Sequence, residues 1–124
     1  DAKLLILDEP TAGLDPQGRD EILDMIKDMR KELNTTIILV SHSMEDIAKY
    51  VDRILVMNEG TLLYDDDTRE IFSHYKELEA VGLKAPSVTY IMNDLIKKGF
   101  DVDSKAMTVK EASESIYRAI KKKV

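Results

Sequence analysis

The sequence predicts an α/β fold: a parallel strand–helix–strand unit, then a β-hairpin, then an α-helical tail. Three observations carry that prediction. Leu4 to Leu7 and Thr36 to Val40 are short apolar runs with no polar residue at alternate positions, which is the pattern of strands buried on both faces. Between them Ile22, Met25, Ile26, Met29 and Leu33 recur at spacings of three and four, the period of an amphipathic helix. After them, two short strand-like runs flank Asn58-Glu59-Gly60, and helical stripes fill the rest of the chain.

Taken in order, the first strand ends at Asp8-Glu9-Pro10. Asp15 caps the helix, with Pro16 at its first position. A helical crossover between strands implies that they run parallel, so Asp8-Glu9 and Ser41-His42 finish at the same sheet edge. Ser43 and Asp46 form a capping-box pattern for a short helix through Lys49. Arg53 to Met57 and Thr61 to Tyr64 read as an antiparallel hairpin. Asp67 and Glu70 frame another cap ahead of Ile71 and Phe72, and a helix from about Tyr75 to Val81 ends at Gly82. Two tail helices follow. Pro86 and Ser87 start the first, with the stripe Val88, Ile91, Met92, Leu95 and Ile96, and Gly99 closes it. Thr108 and Glu111 cap the second, with the stripe Val109, Ala112, Ile116, Ala119 and Ile120, and Lys121 to Lys123 complement its dipole.

Composition narrows the function classes. The 124 residues are 44% apolar and 34% charged, without an apolar run long enough to span a bilayer. No cysteine is present, so there is no disulfide framework, thiol nucleophile or Cys-based zinc site. A net charge of -6 argues against a nucleic-acid footprint. That charge is uneven: residues 1 to 72 carry 8 basic and 17 acidic side chains, net -9, and residues 73 to 124 carry 10 and 7, net +3. The expected division therefore falls after Phe72, between a strand-bearing part at 1–72 and a helical tail at 73–124.

The carboxyl edge of a parallel sheet is where loops present side chains to ligands. Adjacent carboxylates at Asp8 and Glu9 are costly to hold together unless something positive is shared, and hydrated Mg²⁺ with nucleotide phosphates is one solution. Strands lie about 4.8 Å apart, so His42 on the second strand could converge with Glu9 on one phosphoryl group. Alone, an Asp-Glu-Pro triplet reads as a capped turn and a Ser-His pair as a surface feature. Order and spacing change that reading.

Leu4-Leu5-Ile6-Leu7-Asp8-Glu9-Pro10 resembles the Walker B strand of ABC transporter ATP-binding subunits, Thr11-Ala12-Gly13-Leu14-Asp15-Pro16 their D-loop, and Ser41-His42 their switch histidine, 33 positions after Glu9. Val51 to Gly60 is similar to the hairpin that follows. The resemblance implies a partial P-loop NTPase sheet. It gives Asp8 a role in holding Mg²⁺ through water, Glu9 the orientation or deprotonation of the attacking water, and Ser41-His42 contact with the ATP γ-phosphate. Asp15 would belong to a loop crossing a dimer interface. Ala12-Gly13 stands where translation-associated relatives have Asn-His, and Asn58-Glu59-Gly60 is missing from chromosome-organising ones, so transport is the reading favoured.

The tail, from Asp67-Thr68-Arg69-Glu70-Ile71-Phe72 through Ala85-Pro86-Ser87 to Thr108-Val109-Lys110-Glu111-Ala112, is similar to that of energy-coupling-factor transporter ATPases, which drive prokaryotic uptake of cobalt, nickel or vitamins. The implied partners are a second ATP-binding subunit, identical or not, and transmembrane coupling subunits. The implied location is the cytoplasmic face of the membrane. Independently, two amphipathic helices after a sheet unit must bury their stripes on their own domain or on a partner, and dimerisation through Leu95, Ile96, Ile116 and Ile120 is the expectation for the second case. No G-x-x-x-x-G-K-[ST], LSGGQ-type signature or Q-loop glutamine occurs, and in the family these precede Walker B. Together with a start at Asp1 directly ahead of a strand, this gives the expectation of a carboxyl half, inactive alone. The competing expectation is a non-catalytic interaction module. Asp65 to Asp67 reads as a solvated turn, and His74 as the start of a helix.

Overall fold

The computed structural model describes residues 3–122. Its elements follow in the expected order: β1 (Leu4–Asp8), α1 (Pro16–Leu33), β2 (Thr36–Val40), α2 (Met44–Tyr50), β3 (Arg53–Asn58), β4 (Thr61–Asp67), α3 (Thr68–Ser73), α4 (Tyr75–Ala80), α5 (Ser87–Lys97) and α6 (Val109–Lys122). Lys123, expected to help complement the α6 dipole, lies outside the described residues. The chain divides into two compact units, one up to His42 and one from Ser43 onward.

In the first unit β1 and β2 are direct parallel neighbours, in register from Leu4 opposite Thr36 to Asp8 opposite Val40. Asp15 starts α1 as expected, its Oδ1 accepting the Gly18 N–H at 2.8 Å. Two expectations fail here. The strands are not buried on both faces: Leu5, Leu7, Ile37 and Leu39 are half-covered, whereas Leu4, Ile6, Ile38 and Val40 face outward, exposed. One layer of cover is all that these residues supply. On α1 the enclosed residue is Leu23, one position off the expected stripe, while Met25 and Leu33 are exposed. A helix face about 100° wide admits either neighbour of Ile22, and packing chooses between them.

The second unit holds the larger core. Ile47, Ala48, Val56, Ile71, Phe72 and Leu78 close on one another, joined by Ala85 and Met107. The packing boundary therefore falls at His42, and the charge shift at Phe72 falls inside a continuous core. Charge follows the solvated faces of helices, whereas the core follows their apolar stripes.

The hairpin runs past Tyr64 because Arg53 forks onto Asp65 across the strands, Nε to Oδ1 at 2.7 Å and Nη2 to Oδ2 at 2.6 Å. The register slips between Val56, opposite Tyr64, and Met57, opposite Leu62, leaving Leu63 as a bulge. The Glu59-Gly60 turn has φ of 49° and 78°. Both are left-handed, the signature of a two-residue turn that favours Asn-Gly. Glu59→Asn is expected to stabilise the chain by about 0.5–1 kcal/mol, read as a higher urea midpoint with unchanged slope.

Helices α4 and α5 each end on a glycine with positive φ, Gly82 at 82° and Gly99 at 93°. In both, the next residue reaches back five positions, Leu83 N–H to Leu78 O at 2.9 Å and Phe100 N–H to Leu95 O at 3.0 Å, closing a Schellman cap. The expected side-chain caps form too: Ser43 accepts from Asp46 N–H, Asp67 from Glu70 N–H and Thr108 from Glu111 N–H.

Carboxylates at Asp65 and Glu111 are held below their ordinary range by hydrogen bonds from Arg53 and Arg69 respectively. A lowered folded-state value means that the stabilisation is present above the ordinary carboxylate range and is lost as pH falls through the lowered values. Urea midpoints should therefore drop on acidification in that window. Asp65→Asn with Glu111→Gln should flatten the profile, and an equally steep profile in that pair would count against the assignment.

Candidate functional site

The candidate site lies where β1 and β2 end together. Asp8 closes β1 opposite Val40, and its side chain is exposed. Glu9 follows directly. Its N–H donates to Val40 O at 2.8 Å, so the sheet's hydrogen bonding extends one residue beyond the strand and fixes the Glu9 backbone against the end of β2. Glu9 nevertheless has φ of 47°, the left-handed region that a glutamate occupies only under constraint. Its carbonyl then accepts the Ala12 N–H at 3.2 Å, and Thr11 O accepts the Leu14 N–H at 3.2 Å, so the chain turns twice before α1.

That backbone aims the carboxylate across to the second strand. His42 Nε2 lies 3.4 Å from Glu9 Oε1. Oε1 is shielded from solvent and accepts no hydrogen bond, although about a third of the whole side chain is exposed (34%). One carboxylate oxygen is thus enclosed and unsatisfied, a costly arrangement in the absence of a donor. The His42 ring is almost wholly exposed (87%).

Of the residues expected from the sequence, Glu9 and His42 are brought together, Asp8 stands beside them at the strand end, and Ser41 is half-buried between Val40 and His42. Asp15 is not brought to the pair: its carboxylate is engaged as the cap of α1. The constrained φ at Glu9 and the Val40 O bond escape sequence reasoning. Periodicity carries no signal for a single left-handed residue, and only the Pro10 that follows hints at a turn.

The donor set suits a hydrated divalent cation bound together with phosphates. Mg²⁺ keeps several waters and takes one or two protein carboxylates, and Asp8 offers one that is exposed. Among the described residues no group of three or more His, Asp or Glu is arranged as a self-sufficient metal cage.

Residues 1–47 match the family model described as "AAA domain, putative AbiEii toxin, Type IV TA system". The chain is 51% identical over 121 residues to the "Energy-coupling factor transporter ATP-binding protein EcfA2" of Clostridium tetani, covering 98% of this chain and 42% of that protein. It is 48% identical over 119 residues to the protein of the same name from Clostridium perfringens, covering 96% of this chain and 42% of that one. Among solved structures, cbiO1 from Clostridium perfringens, described as part of the ABC transporter complex cbiONQ, superposes with a TM-score of 0.55 at 40% identity, over 73% of this chain and 36% of its own. The chain spans about 42% of the length of the curated relatives it matches.

Proposed function

The chain is homologous, over nearly its whole length, to part of the ATP-binding proteins of energy-coupling-factor ABC transporters, and on that premise we propose that it carries their hydrolytic carboxylate and phosphate-sensing histidine. The supporting observation is the enclosed, unsatisfied Oε1 of Glu9 set 3.4 Å from His42 at the carboxyl ends of two parallel strands.

Each residue has a task in that proposal. Glu9 accepts a hydrogen bond from the water that attacks the terminal phosphate of ATP, and takes its proton. Its rigid backbone bond to Val40 O keeps the carboxylate from drifting away. His42 and Ser41 contact the transferred phosphoryl group, and His42 also holds Glu9 in line with it. Asp8 holds a water of hydrated Mg²⁺, which when bound neutralises charge on the phosphates. Asp15 shapes the loop after Glu9 by capping α1, and in the assembled ATPase that loop meets the neighbouring subunit.

In this reading the complete protein works in the cytoplasm on the inner face of the membrane. It pairs with a second ATP-binding subunit and drives transmembrane coupling subunits that import a metal ion or vitamin. Among the described residues no helix is long and apolar enough to cross a membrane. The functional division at Phe72 assigns pairing to the tail. Of the four residues expected to pair, Leu95 and Ile116 pack against the tail's own core, and Ile96 and Ile120 are exposed and offered to a partner together with Ile91, Val109 and Tyr117.

Residues 1–124 contain no glycine-rich phosphate loop, so the chain alone is expected to bind and hydrolyse no ATP. Calorimetric titration of MgATP into it should show no saturable binding at micromolar concentration, and stoichiometric binding there would refute that expectation. Absence of ATP hydrolysis by the full-length protein would remove the function itself.

A further inference from the structure

The two tail helices carry a small core of their own, in which Val88 and Met92 of α5 close on Ala106 and Ala112. Among the described residues the larger core includes two positions that border this pair. One is the start of α5, through Ala85 and the half-buried Tyr90, whose ring meets Tyr75 edge-on at 5.5 Å. The other is Met107, two residues ahead of α6.

Each place has a polar tie beside it. At the first, Pro86 stands at the N-cap and offers no side-chain acceptor, and the Ser87 N–H donates instead to Oε1 of Glu45 on α2 at 2.9 Å. A carboxylate there also suits the positive end of the helix dipole. At the second, Arg69 on α3 donates to Lys105 O at 2.8 Å and forks onto Glu111, Nη2 to Oε2 at 2.6 Å and Nη1 to Oε1 at 3.3 Å. Lys105 Nζ in turn donates to Glu70 Oε1 at 2.7 Å. Glu111 also accepts the Met107 N–H at 3.0 Å, so Arg69 grips the very carboxylate that orders the approach to α6.

We propose that α5 and α6 form a rigid lever that pivots about Ala85 and Met107, seated by Glu45 at one end and by Arg69 at the other. Alanine anchors little apolar area and methionine adapts to altered packing. The ties are solvent-exposed, weak singly and screened by salt. Unseating therefore needs less free energy than melting the α5–α6 core, in which Met92 is fully enclosed.

The absence of cysteine allows clean paired spin labels on the full chain. Leu62→Cys with Arg118→Cys reports the lever against the hairpin, and Asp94→Cys with Arg118→Cys reports the lever's interior. In low salt the first distance distribution should be narrow. Arg69→Gln, or about 0.5 M salt without any further substitution, should widen it roughly twofold while the interior pair stays unchanged. Glu45→Ala should act in the same direction. An unchanged hairpin-to-lever distribution under both treatments, or widening of the interior pair alongside it, overturns the proposal.

Discussion

Glu9→Gln in the full-length protein should lower steady-state ATP hydrolysis by about 10²–10⁴-fold, the range associated with loss of a general base. The substitution is close to isosteric, and Gln tolerates the left-handed φ of 47° no worse than Glu. The Val40 O to Glu9 N–H bond is made by the backbone and survives it. What changes is the enclosed oxygen beside His42, which loses its charge and with it the capacity to take a proton from water. Affinity for MgATP, measured by titration of the same variant, should change little. His42→Ala should also depress turnover, through loss of phosphoryl contact and of the group that keeps Glu9 in line. On the proposed roles the two side chains act as a unit, so the double variant should be scarcely slower than the worse single one. Unchanged turnover in both single variants would overturn the assigned roles.

Phe72→Ala should destabilise the chain by about 3–5 kcal/mol, seen as a lowered urea midpoint. Phe72 is 2% exposed and lies in one core with Ile47, Val56, Ile71 and Leu78. Its removal leaves a cavity among side chains from four different elements, which cannot all collapse onto it. By contrast Met57→Ala on the outer face of the hairpin, where the side chain is 60% exposed, should shift the midpoint by no more than about 0.5 kcal/mol. A loss below about 1 kcal/mol at Phe72 would mean that the tail and the hairpin do not share a core.

Much of this architecture is legible residue by residue. Short-range chemistry writes it: Asp15-Pro16 starts α1, Thr108 with Glu111 starts α6, and Gly82 and Gly99 end α4 and α5. Caps and turns depend on atoms three to five residues apart, so a linear sequence contains the whole of each interaction. The candidate site is legible for a related reason. A helical crossover forces β1 and β2 parallel, and that alone brings the end carrying Asp8-Glu9 to the end carrying Ser41-His42.

What the sequence left open is of longer range. Ile91 and Ile96 look equivalent to Val88 and Met92 in a stripe, yet the first two are exposed and the last two buried. Hydrophobic periodicity marks a broad arc of a helix, and the partner that lands on it selects the part covered. The strand faces divide in the same way, Leu5 and Leu7 half-covered against Leu4 and Ile6 bare, a distinction that a uniform apolar run cannot express. The sequence by itself determined the element order, the helix ends and the residues gathered at one sheet edge, because each follows from local bonding or chain direction. Tertiary structure alone decided which apolar faces are enclosed, that Phe72 sits within a core, and that Glu9 is bent toward His42 with an oxygen left unsatisfied, because those depend on contacts between residues distant in the chain.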